Sequence, residues 1–265
     1  MRFFPCLLVF VSVLCCGQER PKIFFHGIKI FVSDLEETEE FYTSLIGFNV
    51  VSKTDDVLEL ATNTWPVYLV KTSGMARSGY PKEARTGLTL QTYKLLPAID
   101  ALREKNIDFY DTLLARNGVG IAIPFKDPSD NVLSLMEVQV REVSEFAGLR
   151  IYNTGVTVNS IENAFAFYGN ILGFEEWSRN YLPDALPLKH KDGSFAFMLH
   201  RKPALTRATI DHGRHPHIAL ILESADLEQV KSWLAQQKVS FKVVESRIIV
   251  IDPEGNTVEI QETGK

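Results

Sequence analysis

The chain has 265 residues, which suits two domains, and its 45% hydrophobic and 23% charged residues are ordinary for globular protein. A formal charge of −5 with no visible Lys/Arg cluster gives no electrostatic reason to expect nucleic acid as a partner. All three cysteines, Cys6, Cys15 and Cys16, lie in the first 17 residues, so removal of that segment would exclude disulfides, a cysteine nucleophile and thiolate zinc sites.

Residues 1–17 carry one basic residue, Arg2, then an apolar run from Phe3 to Cys15, and small residues at Cys15 and Gly17 ahead of Gln18. This is the pattern of a secretory signal peptide, which predicts export to a periplasmic or extracellular space. The run is short for a membrane anchor and Pro5 interrupts it. A lipid anchor through Cys15 or Cys16 is the alternative, although Ser12-Val13-Leu14 fits that processing poorly. No other stretch is long and apolar enough to span a membrane.

Residues 24–32 predict a strand with Ile28, Ile30 and Val32 on one parity. Ser33-Asp34-Leu35-Glu36 has the form of a capping box opening a helix, with Leu35, Thr38, Tyr42 and Leu45 on one face and Gly47 at the left-handed C-terminal cap. Strand-like runs follow at 48–53, 57–62 and 66–71. A polar loop at 72–85 leads to a second unit: a strand at 87–92, a helix marked by Leu96, Ile99 and Leu102, and strands at 119–123 and 132–138.

The order then repeats. Phe41-Tyr42-Thr43-Ser44-Leu45-Ile46-Gly47-Phe48 returns as Phe167-Tyr168-Gly169-Asn170-Ile171-Leu172-Gly173-Phe174, an offset of 167 − 41 = 126. Asp127-Pro128-Ser129-Asp130-Asn131 returns as Asp252-Pro253-Glu254-Gly255-Asn256, an offset of 252 − 127 = 125. Two echoes in the same order at nearly the same offset mean a duplicated unit. The second copy predicts strands at 151–158, 174–178, 186–190, 194–200, 217–222, 241–244, 247–251 and 256–261. It predicts helices carrying Ile161, Ala164, Tyr168 and Ile171, then Leu227, Val230 and Leu234. The whole is α+β: four βαβββ units, with domains at 22–140 and 150–262 and a linker at 141–149.

A strand, a helix reading Phe-Tyr-x-x-x-x-Gly-Phe and a closing Asp-Pro-x-Gly-Asn-x-x-Glu resemble the vicinal oxygen chelate superfamily, the glyoxalase, bleomycin-resistance and extradiol dioxygenase group. The resemblance covers nearly all of the chain after residue 21. It implies two glyoxalase-like domains whose sheets curl into cups, and a divalent metal (Fe, Mn, Ni or Zn) acting as a Lewis acid on adjacent substrate oxygens. Aligned on the Phe-Tyr pair, the first domain's ligand positions fall on Gly27, Tyr68, Gly87 and Ser134, a poor metal set. His26 is one residue off and is expected on the opposite face with a local hydrogen bond. Glu137 is three residues late.

In the second domain the ligand positions fall on Asn153, Met198, His217 and Glu259. The resemblance thus implies a metal held by His217, Glu259 and Asn153, with His217 and Glu259 as the catalytic pair. Gly193 stands where extradiol enzymes carry an acid–base histidine, so ring cleavage is disfavoured. Three of the six histidines lie in Asp211-His212-Gly213-Arg214-His215-Pro216-His217; His212 and His215 read better as a solvated loop. Arg201, Arg207 and Arg214 could clamp an anion or simply be solvated. Lys29 could bind an anion in the first cup or snorkel to the surface. Asp127 and Asp252 read as turn residues, and Trp65, Trp177 and Trp233 as packing residues.

The leading expectation is metal-dependent isomerase or lyase chemistry on a small oxygenated molecule. The alternative is a non-catalytic small-molecule binding protein of the bleomycin-resistance type. The partner is a small-molecule substrate or ligand in either case, with a homodimer the assembly to test.

Overall fold

The structure, a computed structural model, describes residues 19–72, 86–107, 109, 115–116, 120–138, 148–201 and 218–264. The expected leader at 1–17, the 72–85 loop beyond Thr72, most of the 141–149 linker, and His212, His215, His217, Arg207 and Arg214 lie outside the described residues.

Four βαβββ units follow one another. Unit one is β1 (Phe24–Val32), α1 (Leu35–Glu40), β2 (Asn49–Lys53), β3 (Val57–Ala61) and β4 (Val67–Lys71). Unit two is β5 (Thr86–Thr92), α2 (Leu95–Arg103), β6 (Ala115–Arg116), β7 (Gly120–Lys126) and β8 (Val132–Val138). Unit three is β9 (Arg150–Val158), α3 (Ile161–Phe165), β10 (Glu175–Glu176), β11 (Ala185–Lys189) and β12 (Phe195–Arg201). Unit four is β13 (Ile218–Ser224), α4 (Leu227–Gln236), β14 (Phe241–Val244), β15 (Arg247–Ile251) and β16 (Thr257–Glu262).

The duplicated helices end alike. Helix α1 runs into a wide π turn over Phe41–Leu45 and α3 into one over Ala166–Ile171. Each is closed by glycine in the left-handed region, Gly47 at φ 93° and Gly173 at φ 96°, where a Cβ would be strained. The cap of α1 is Asp34, which accepts from the Glu36 and Glu37 amides, and not the expected Ser33. Ser33 instead donates its amide to Ser129 Oγ across 3.0 Å. Helix α2 buries Leu95 and leaves Leu96 exposed, one position from the expected face. Trp177, expected to pack, is half exposed. Trp65 packs edge-on to Phe25, and Trp233 donates to the Ile171 carbonyl.

The repeated Asp-Pro turns tie the units of each half together. Tyr42 donates to Asp127 across 3.2 Å, and its repeat Tyr168 donates to Asp252 across 2.9 Å. Asp127 Oδ1 accepts from the Ser129 and Asn131 amides, and Asn131 reaches back to the Phe31 carbonyl. Asp252 and Asn256 repeat this with Glu254 and Thr157. Burial outweighs these hydrogen bonds and raises Asp127 to about 6, and it raises Asp252 in the same direction.

The strands, however, pair across the halves. One eight-stranded sheet, sheet A, runs β14-β15-β16-β13-β1-β4-β3-β2, and the other, sheet B, runs β10-β11-β12-β9-β5-β8-β7-β6. Unit one therefore shares its sheet with unit four, and unit two with unit three. The expectation that units three and four build one cup together is corrected. Antiparallel joints β1–β13 and β5–β9 make the two seams. Ile28, Ile30, Leu88, Leu90, Val156, Leu220 and their neighbours face the helices and form a continuous core. The opposite face of each sheet, the cup face, carries the chemistry.

Candidate functional site

The seams are duplicated to the residue. In β1 the pairing with β13 slips between Phe25 and Gly27, so His26 is an extra, bulged residue. In β9 the pairing with β5 slips between Asn153 and Ile151, so Tyr152, at 26 + 126, is bulged in turn. A bulge sets two successive side chains opposite one partner and restores the alternation beyond it. This corrects the expectation for His26: the bulge brings it onto the cup face beside Gly27. Its ring contacts show this, with Nε2 3.1 Å from Tyr68 Oη and Nδ1 3.1 Å from Glu223 Oε1.

On sheet A the cup face is charged. Lys29 is 7% exposed and Glu259 6%, and the ammonium bonds directly to the carboxylate. Arg247 Nη1 reaches the same Glu259 oxygen at 3.3 Å. Burial lowers the Lys29 pKa despite the opposing pull of Glu259. Tyr68, directly across from Lys29 in the parallel β1–β4 register, is pushed up to about 12 by burial and then by Glu59 and Glu223. Gln261 donates to Glu223 across 3.2 Å.

On sheet B the equivalent positions carry no charge. The registers set Gly155 where sheet A has Lys29, Met198 where it has Tyr68, Ser134 where it has Glu259, and Gln91 where it has Glu223. Asn153 takes the place of Gly27. It is 3% exposed, and its side-chain Oδ1 is buried without a hydrogen-bond partner. Thr89 lies beside it on β5. The His200 ring covers Gly155 so closely that a Cβ there would sit 2.3 Å from Cδ2, so any larger residue would displace the ring. Burial lowers the His200 pKa to about 4 and keeps the imidazole neutral. Met136 and Met198 add buried thioethers.

The predicted triad is thus divided. Asn153 lies in sheet B and Glu259 in sheet A, and His217 is outside the described residues. Among the described residues no group of three or more His, Cys, Asp or Glu side chains comes together. Among the described residues, which leave out His217, the donor sets do not fit a divalent ion. Sheet B offers an amide, a thioether, a hydroxyl and a glycine at the family's ligand positions, which is too weak a set. On sheet A two cations already neutralise Glu259, and a metal ion would have to displace one and sit beside the other. Glu137 caps α2 through the Leu95 amide at 2.8 Å, and Arg201 pairs with Asp184 at 2.9 Å on the surface.

Sequence reasoning missed His26, Glu223, Thr89 and His200. The one signal was glycine inside an apolar strand directly after His26, which is a mark of a bulge.

The family model for the Glyoxalase/Bleomycin resistance protein/Dioxygenase superfamily matches residues 25–135 and again 150–260. Among solved structures the chain is similar to glyoxalase I from Zea mays, with 15% identity, 91% of this chain and 92% of that one covered, and a TM-score of 0.67. It is also similar to the cppA protein from Streptococcus pneumoniae, with 13% identity, coverage of 91% and 97%, and a TM-score of 0.51. Likeness at these identities shows the fold. No curated protein is a significant sequence match.

Proposed function

We propose that this chain, which belongs to the Glyoxalase/Bleomycin resistance protein/Dioxygenase superfamily in both halves, is a small-molecule binding protein whose ligand seats on the cup face of sheet B. The observation that carries the reading is the Asn153 carbonyl oxygen, buried on that face without a partner. An unsatisfied buried acceptor costs about 1–3 kcal/mol, and a ligand that donates to it would recover that cost. Its surroundings are thioethers, small hydroxyls, glycines and a neutral imidazole, which suit an uncharged molecule with a hydrogen-bond donor. The leader at residues 1–17 supports an exported protein that meets this ligand outside the cytoplasm.

Metal-dependent isomerase or lyase chemistry at His217 and Glu259 is the weaker reading, because Lys29 and Arg247 already hold the carboxylate. Native mass spectrometry of the mature protein tests the binding role. A retained small molecule in wild type that is lost in Asn153→Leu is the expected result. A wild type that carries nothing, and whose unfolding midpoint moves with none of a set of uncharged planar hydrogen-bond donors, overturns it.

A further inference from the structure

The other cup face holds a connected set of acid–base groups that ligand binding on sheet B does not use. We propose that Glu223, His26 and Tyr68 form an acyl-transfer triad on the cup face of sheet A, with Tyr68 as nucleophile, His26 as general base and Glu223 as the positioning residue, acting on small esters.

The geometry assigns the protons. An ionised carboxylate only accepts, so His26 Nδ1 carries the hydrogen that points to Glu223 Oε1 at 3.1 Å. In the neutral ring Nε2 is then the free base, and the Tyr68 hydroxyl donates to it across 3.1 Å. This is nucleophile, base and orienting carboxylate in hydrogen-bond sequence, the arrangement that activates a hydroxyl. Gln261 fixes Glu223 from β16, and Lys29 supplies a cation on the same face one strand from the phenol. Tyr68 is partly exposed, and the His26 and Glu223 side chains keep 26% and 15% of their surface, so the phenol can be reached.

The duplicated fold argues that the chain of groups is not a packing requirement. Sheet B builds the same bulge and register with Tyr152, Met198 and Gln91 at the three places. A scaffold that closes equally well without the carboxylate, imidazole and phenol does not need them for folding. The phenol at about 12 is still far more acidic than water, whose pKa is ~15.7. Glu223, which after burial and Glu59 also raises the phenol, stabilises the imidazolium formed as the proton leaves.

In the first step the Tyr68 oxygen attacks the ester carbonyl carbon while its proton passes to His26 Nε2. The bond to the leaving alcohol oxygen breaks, and His26 returns the proton to that oxygen. An acyl-tyrosine remains. Water then attacks the acyl carbon with His26 again taking the proton, which releases the acid and restores the phenol.

The probe is p-nitrophenyl acetate with the full mature protein. The expected result is a burst of about one nitrophenolate per chain, with the acetyl group found on Tyr68 by peptide mass spectrometry. Tyr68→Phe should abolish the burst, and His26→Gln should slow acylation by about 10²–10⁴-fold. Glu223→Gln should slow it and move the pH profile of the burst, which a purely structural role would leave in place. Acetyl groups spread over exposed Tyr93 and surface lysines in wild type, or a burst that survives in Tyr68→Phe, would overturn the proposal. The wild-type labelling pattern decides the matter even if a variant fails to fold.

Discussion

Asn153→Leu should stabilise the ligand-free protein while removing its ligand. The two side chains have the same number of heavy atoms and nearly the same shape, so the swap changes polarity with little change in packing. Asn153 is 3% exposed with an orphaned carbonyl oxygen, and relief of that oxygen is worth about 1–3 kcal/mol. The better strand preference of leucine adds a few tenths of a kcal/mol in the same direction. Some of this is offset by whatever the amide nitrogen does, so a net gain of about 1–2 kcal/mol is expected. For a chain of this length that is roughly a 2–8 °C rise in unfolding midpoint. The assay is urea unfolding of stripped mature protein, with an unchanged m-value showing that only stability moved. A loss of 1 kcal/mol or more would mean that the oxygen is satisfied in solution, and the reserved acceptor would vanish from the argument. A stabilised variant that still retains ligand would place the binding determinant elsewhere.

Three further outcomes follow from the same contacts. Tyr168→Phe and Tyr42→Phe each remove a donor from a buried carboxyl group, and each should cost about 1.5–3 kcal/mol in chemical denaturation, with the shorter Tyr168 bond the more costly. Asp127 titrates near 6 in the folded chain against 3.8 as its ordinary value. The native state therefore holds the proton longer, and this group's contribution falls as pH rises from about 4 to above 6, by about 3 kcal/mol in all. The stability difference between wild type and Asp127→Asn should shrink over that window; a difference that widens would show that the donated hydrogen bonds win over burial. Glu259→Gln alone should cost about 3–5 kcal/mol by stranding the buried Lys29 ammonium, and Lys29→Met should cost less, because Arg247 still partners the carboxylate. The double variant should cost much less than their sum, and an additive cycle would refute the pairing.

The sequence by itself determined the order of the four units, because apolar alternation and the 126-residue echo place their strands and helices in sequence, although the two-residue β6 left no such pattern. It also determined that Lys29 leaves the core face, since Ile28, Ile30 and Val32 occupy it. Its turn chemistry was legible too: Asp127 and Asp252 close their loops as the Asp-Pro pattern implies. Only the tertiary structure decided which units share a sheet. Both the within-half and across-half pairings bury the same faces, so local pattern cannot choose between them; the long-range seams β1–β13 and β5–β9 do. That choice separated Asn153 from Glu259. The bulge at His26 had a similar effect at shorter range. One extra residue resets the parity of a strand, and its presence depends on the partner strand's register, which no single strand carries in its own sequence. Hence Asn153 parted from Glu259 while the fold held: secondary structure follows from near neighbours, but the convergence of side chains on a cup face follows from the pairing of strands nearly 200 residues apart.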